Sequence, residues 1–186
     1  MNNSLKMIAV FFLTLFALCF FTGVIYTSSF VESEYLGPDL INSFKIINLN
    51  SLILEVAVIS ISFLLSFFLI GVLLFIAFVG LKAFSLGLIT YSFISTYGFS
   101  GMIISVIHLL LNIVLILLLF MIFFHLLKLL KLFVNKNFLK KTNDSTYIIK
   151  LIKKCFYIFT FYLSYNIILY LSNDLLIEIY KKIIGV

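Results

Sequence analysis

From Ala83 to Leu127 the chain runs 45 residues without a Lys, Arg, Asp or Glu. As one straight helix that stretch would be roughly 68 Å long, at about 1.5 Å per residue. The hydrocarbon core of a bilayer is only about 30 Å thick. A chain of this kind must turn inside the stretch, and Gly98-Phe99-Ser100-Gly101 supplies the turn. The expected fold is therefore an all-α, polytopic membrane helix bundle with a hairpin of two apolar helices at its centre.

Composition supports a lipid solvent. Of 186 residues 64% are hydrophobic and 11% are charged, against about 25% charged in a soluble domain. The formal charge of +6 comes from lysines clustered beside apolar segments, where they orient a membrane chain, so nucleic acid is not indicated as a partner. Cys19 and Cys155 stand far apart, and the two His and two Cys have no metal-ligand spacing. No cofactor or metal is expected. The wealth of Ile, Phe, Lys and Asn points to an AT-rich bacterial genome.

Five spans are predicted. Met7 to Val31 is uncharged; its apolar core exceeds the 7–15 residues of a signal peptide, so it reads as an anchor at about 7–29. Glu32 to Asn50 is polar and contains Gly37-Pro38, within an external loop expected over 32–55. Val56–Leu81 is the second span, with Glu55 at its start, where a carboxylate suits the helix dipole, and Lys82 at its end. Ala83–Thr96 is a shorter third span and Met102–Leu127 the fourth. A basic loop follows over 128–154, then a fifth span at 155–172 and an amphipathic tail from Asp174 to Ile184.

Lysine placement orients these spans. With the N-terminus inside, the cytoplasmic side holds Lys6, Lys82 and the lysines between 128 and 154, while Lys45, Lys181 and Lys182 lie outside. That obeys the positive-inside rule and predicts an N-in, C-out topology. The basic loop is also placed to meet anionic lipid headgroups.

The third span is rich in small and hydroxylated residues. Ala83, Ser85, Gly87, Thr90 and Ser95, with Gly98 and Gly101 at the turn, let helices approach closely and bond across their contact. On the fourth span His108 and Asn112 are four residues apart and share a face near Ser105. Polar groups at membrane depth point to function by default; the simpler reading is that they bond to each other or to hydroxyls of the third span. In the tail, Glu178 and Lys182 make an i, i+4 pair, with Leu175, Ile179 and Ile183 on another face.

Catalytic chemistry finds little support. Gly98-Phe99-Ser100-Gly101 has the G-x-S-G form of rhomboid intramembrane proteases, but His108 is roughly 12 Å further along the same helix, too far to act as base. No Asp or Glu falls inside a predicted span, which argues against an ion-coupled transporter. Walker and dinucleotide motifs are absent. An enzyme is not expected.

The segment Lys82-Ala83-Phe84-Ser85-Leu86-Gly87, then Tyr97-Gly98-Phe99-Ser100-Gly101 and Asn112, resembles the stage II sporulation protein M family. In that family a lysine–aromatic–Ser–x–Gly segment opens one helix, an aromatic–Gly–x–x–Gly turn follows, and the next helix carries an Asn. Leu110 and Leu111 stand where the family often has Pro-Gln, and Pro38 is the one proline of the chain, so the fourth span should be straighter than in relatives. The resemblance implies a membrane scaffold in a spore-forming bacterium, assembled at the septal or engulfing membrane with a peptidoglycan-cleaving wall hydrolase and a second membrane-anchored wall protein. The outward segments, with Glu32, Glu34 and Asp39, are then the expected partner contacts. The alternative from a different class is a permease-like subunit or small-molecule channel lined by His108 and Asn112.

Overall fold

The structure, a computed structural model, describes residues 3–30, 41, 48–137 and 145–185. The regular elements among them are all helices. Helix α1 is Asn3–Phe30 and α2 is Leu49–Leu64. The long stretch Leu69–Asn137 is interrupted by Gly98, at φ 56° and ψ −124°, which divides it into α3 (69–97) and α4 (99–137). Helix α5 is Ser145–Leu171 and α6 is Asn173–Ile184.

The chain folds back on itself at Gly98, whose backbone angles suit only a residue without a Cβ. The Ser105 hydroxyl donates to the Thr90 carbonyl at 3.1 Å across the reversal, and Gly101 sits directly on the backbone of Phe93. Further along, the rings of Phe75 and Phe123 stack with centroids 6.2 Å apart. Helices α3 and α4 are thus an antiparallel hairpin.

A second reversal, at residues 65–68, separates α2 from α3. Gly71 lies against the carbonyls of Leu65 and Ser62, with no room for a Cβ, and the rings of Phe67 and Phe68 rest on Phe133 of α4. This turn corrects the expected boundary between the second and third spans. The helix runs unbroken through Lys82, near the middle of α3, and the break falls at 65–68 instead. A lysine closing an apolar run suggests a membrane exit; Lys82 needs none, because it pairs with Glu55.

Other boundaries move in the same direction. Helix α2 begins at Leu49, inside the expected external loop. Helix α4 continues to Asn137 and α5 starts at Ser145, so most of the expected basic loop is helical. Long lysine stems can lie along a helix with their ammonium groups in the headgroup zone, which lets helices outrun the apolar core.

Helix α1 packs parallel to α3. Gly23 meets the backbone of Phe84 and Leu88, and Gly87 meets the backbone of Phe20 and Val24. The two glycines interlock, each filling the space where the other helix lacks a side chain. Phe12 packs on Phe120 and Phe123 of α4. Helix α5 runs antiparallel to α4, with the Tyr165 hydroxyl donating to the Leu111 carbonyl at 2.8 Å. A core of Phe12, Ile59, Phe75, Leu119 and Tyr162 ties these helices together.

The outside of the bundle is apolar. Leu18, Phe21, Phe156 and Phe161 are all at least 60% exposed, far more than a surface facing water carries in one continuous belt. Among the described residues three helices are long and apolar enough to cross a membrane: Lys6–Phe30, Leu69–Val134 counted through its kink, and Thr146–Leu171. This is compatible with a multi-pass membrane protein.

Candidate functional site

Midway along the bundle, three helices meet at a buried carboxylate. Glu55 of α2 receives the ammonium of Lys82 on one oxygen and the hydroxyl of Tyr162, from α5, at 2.6 Å on the other. Glu55 and Tyr162 are buried; the Lys82 side chain is 18% exposed. The pairing partners are 27 and 107 residues away in sequence. In one straight helix 27 residues would span about 40 Å, so the ion pair exists only because the 65–68 turn folds α2 back along α3.

The sequence alone puts Glu55 at a helix N-terminus and leaves the spans free of acidic residues. The structure overturns both: Glu55 lies in the second turn of α2 and is buried in the bundle. Desolvating a carboxylate and an ammonium is costly, and their attraction offsets the cost only with good geometry and further hydrogen bonds. Tyr162 provides one such bond. Asn166, one turn later on α5, donates from Nδ2 to the Tyr162 carbonyl at 2.9 Å. Its Oδ1 is buried with no hydrogen-bond partner among the described residues.

The His108–Asn112 pair lies close by on α4. Asn112 Nδ2 donates to the His108 carbonyl at 2.9 Å and approaches His108 Nε2 at 3.4 Å. Both side chains are buried, and the Lys82 charge acts on His108. Ser105 is buried too, with its hydroxyl on Thr90. The bundle thus buries polar groups from α2, α3, α4 and α5 over about 12 Å of its length, from Lys82 to Thr90 on α3.

The other expected packing residues are spread over two sides of α3. Ala83, Gly87 and Thr90 are buried, and Thr90 returns its hydroxyl to the Leu86 carbonyl. Ser85 and Ser95 are exposed, Ser95 bonding back to the Ser92 carbonyl at 3.2 Å. Gly98 forms the reversal and Gly101 the close approach behind it. Glu32, Glu34 and Asp39 lie outside the described residues.

At the Gly98 end, α6 docks on the hairpin through Tyr180. Its ring meets Phe93 edge-on at 6.2 Å, within a small cluster that includes Ile41 and Ile104. Burial pushes the Tyr180 phenol up to about 12. The docked face is therefore the one bearing Asn173, Tyr180 and Ile183, while Leu175 and Ile179 are exposed. Glu178 and Lys182 pair at 3.0 Å in the open. The backbone N–H of Ile41 donates to the Tyr97 hydroxyl at 3.2 Å.

Sequence reasoning missed Glu55, Tyr162, Asn166 and Gly23. Glu55 and Lys82 carried a signal, since both interrupt otherwise apolar runs, but their partnership depends on a turn with no proline. Tyr162 and Gly23 had no signal that separates them from neighbouring Tyr and Gly residues.

Comparison with protein-family models, with curated proteins and with solved structures finds no match to this chain.

Proposed function

We propose that the chain is a non-catalytic integral-membrane scaffold that crosses the bilayer five times and holds a cell-wall hydrolase and a second membrane-anchored wall protein at a sporulation septum or engulfing membrane. The resemblance of the Lys82–Gly87, Tyr97–Gly101 and Asn112 segments to stage II sporulation protein M supports the partner class. The observation that carries the scaffold reading is the engagement of the buried polar groups within the bundle: Glu55 with Lys82 and Tyr162, Asn112 with His108, Ser105 with Thr90. The Glu55–Lys82, Glu55–Tyr162 and Ser105–Thr90 bonds join different helices and lock them in register, as a scaffold requires, while the Asn112–His108 bond lies within α4.

The helix directions agree with five crossings. The N-terminal end of α1, the 65–68 turn, the end of α4 and the start of α5 share one end, with Lys6, Lys128, Lys131, Lys150, Lys153 and Lys154. The Gly98 reversal and α6 share the other. Lys82, paired inside the bundle, drops out of the charge comparison, which still puts the lysine-rich end in the cytoplasm. Partner contacts then fall on the outer end, on the segment carrying Glu32, Glu34 and Asp39 and on the exposed side of α6.

The test is a mild-detergent pull-down of the tagged protein from sporulating cells, followed by mass spectrometry. Recovery of a wall hydrolase with an anchored wall protein is the expected result, and recovery of an ATPase instead defeats the scaffold reading. The buried Asn166 Oδ1, beside the carboxylate and with no partner among the described residues, favours one alternative, a permease-like subunit. The two separate at His108→Leu: a scaffold keeps its partners, whereas a path-lining histidine loses transport.

A further inference from the structure

We infer that the lysine-rich end carries a built site for one anionic phospholipid, with its phosphate between α4 and α5 and an acyl chain in a groove between α2, α4 and α5. The inference rests on the membrane placement proposed above but not on the scaffold role.

Two concavities adjoin there. One, of about 550 Å³, is lined by Ile59 and Phe63 of α2, Ile122 of α4 and Phe156 and Phe159 of α5. That falls within the roughly 300–1,000 Å³ typical of ligand pockets. The other, of about 260 Å³, is lined by His125, Lys128, Tyr147, Lys150, Lys153 and Lys154. Lys153 lines both. It stands where an apolar cleft meets a cationic one.

Helix periodicity explains the junction. Tyr147, Lys150 and Lys154 recur at i, i+3 and i+7 and line the basic pocket with α4. Ile152, Phe156 and Phe159 recur at i, i+4 and i+7 and line the groove beside α2. The two sets lie on opposite flanks of α5, and Lys153 falls between them on the outward side of the helix, so one lipid reaches both by straddling α5 at Lys153. On α4, Lys128 is held over the Phe124 ring at 4.1 Å from its centroid, an attraction that fixes the ammonium near the pocket. His125 directs Nδ1 at the Met121 carbonyl, 2.8 Å away. A carbonyl only accepts, so Nδ1 carries the proton and Nε2 is left as an acceptor. The donors available to a phosphate are the lysines and Tyr147.

Charge complementarity selects the occupant. A soluble phosphate ester suits the basic pocket and leaves the groove empty. A neutral lipid suits the groove and leaves several ammonium groups without a counter-charge. A lipid with an anionic phosphate answers both, and such lipids enrich the cytoplasmic leaflet that juxtamembrane lysines meet.

The test uses the full chain in a nonionic detergent, titrated with dioleoyl phosphatidylglycerol, dioleoyl phosphatidylcholine or glycerol 3-phosphate, with native mass spectrometry as readout. Phosphatidylglycerol should bind in preference to phosphatidylcholine, and glycerol 3-phosphate should not compete. Lys153→Ala with Lys154→Ala should weaken phosphatidylglycerol binding about 30-fold, from roughly 1 kcal/mol per lysine near the surface, and abolish the preference. Ser60→Phe, which narrows the groove, should weaken both lipids alike. Lys6→Ala, at the same end but outside the pocket, should change nothing. Lys150→Gln offers a milder loss of the preference if the double variant melts without added lipid. Equal binding of the two lipids by the native chain, an unchanged lysine variant, or competition by glycerol 3-phosphate would overturn the proposal. Alkaline carbonate extraction keeps the two ideas apart: a chain that stays in the membrane pellet yet shows no lipid preference refutes the site alone, whereas a chain that is released refutes the membrane placement.

Discussion

Helix α3 is held on two sides by opposite means. Towards α1 the contact is made of backbone: Gly23 and Gly87 bring the two helices together main chain against main chain. Towards α2 and α5 the contact is made of charge, through Glu55, Lys82 and Tyr162. The difference suits the membrane placement proposed above. Between helices in lipid there is no hydrophobic driving force, so association relies on close packing and on hydrogen bonds. Glycines give the first at no desolvation cost but tolerate no added atom. The carboxylate gives directional bonds and a unique register, but leaves a buried charge if either partner goes. One seam should fail by steric intrusion and the other by electrostatic orphaning.

The largest effect should come from Glu55→Leu. It leaves the half-buried Lys82 ammonium without a counter-charge, a change that costs up to about 3–5 kcal/mol in fully buried pairs. Thermal unfolding in detergent should show the loss, and Glu55→Leu combined with Lys82→Leu should recover most of it. If the double variant is no better than the single one, the pair is not what holds α2 against α3. Tyr162→Phe should follow, because it removes one hydrogen bond to a charged group, worth about 1.5–3 kcal/mol. The same measurement in the Glu55→Leu background should show the tyrosine effect largely gone, since its acceptor is absent.

On the other seam, Gly87→Ala tests packing alone. Alanine normally stabilises a helix interior by roughly 0.5–1 kcal/mol over glycine. Here the new methyl group meets the Phe20 backbone, and overpacking should reverse the sign, to a loss of about 1–3 kcal/mol. A stabilised variant in the unfolding assay would show that α1 is free to move away. The smallest effect should be at Glu178→Gln, which breaks an exposed pair to Lys182. A change of about 0.3–0.5 kcal/mol, erased by salt, is expected in a melting curve at two ionic strengths.

The sequence was legible where a local rule acts alone. Gly98 is a reversal because only glycine suits its backbone, and the uncharged run around it demanded one. His108 with Asn112, and Glu178 with Lys182, are found from four-residue spacing because a helix makes such residues neighbours. Legibility ended where two distant segments answer each other. A lysine closing an apolar run is, by itself, the mark of a membrane boundary. Only the folding of α2 onto α3 turns Lys82 into half of an internal pair, and the turn responsible, Leu65-Ser66-Phe67-Phe68, contains neither proline nor glycine. Tyr162, among ten tyrosines, differs from the others only by what it faces.

The distances along the chain between Glu55 and its partners also set a timetable. On a polypeptide made at roughly 5–20 residues per second, Lys82 follows Glu55 by about 1–5 s and Tyr162 follows by about 5–20 s. During the first interval α2, only 16 residues long, carries a carboxylate with no counter-charge, and a lone acidic side chain is costly to leave in hydrocarbon. On the membrane placement proposed above, insertion of α2 is therefore tied to the synthesis of α3, and the two enter as a pair. Tyr162 closes the arrangement last, when the nascent chain has already delivered α4 and most of α5.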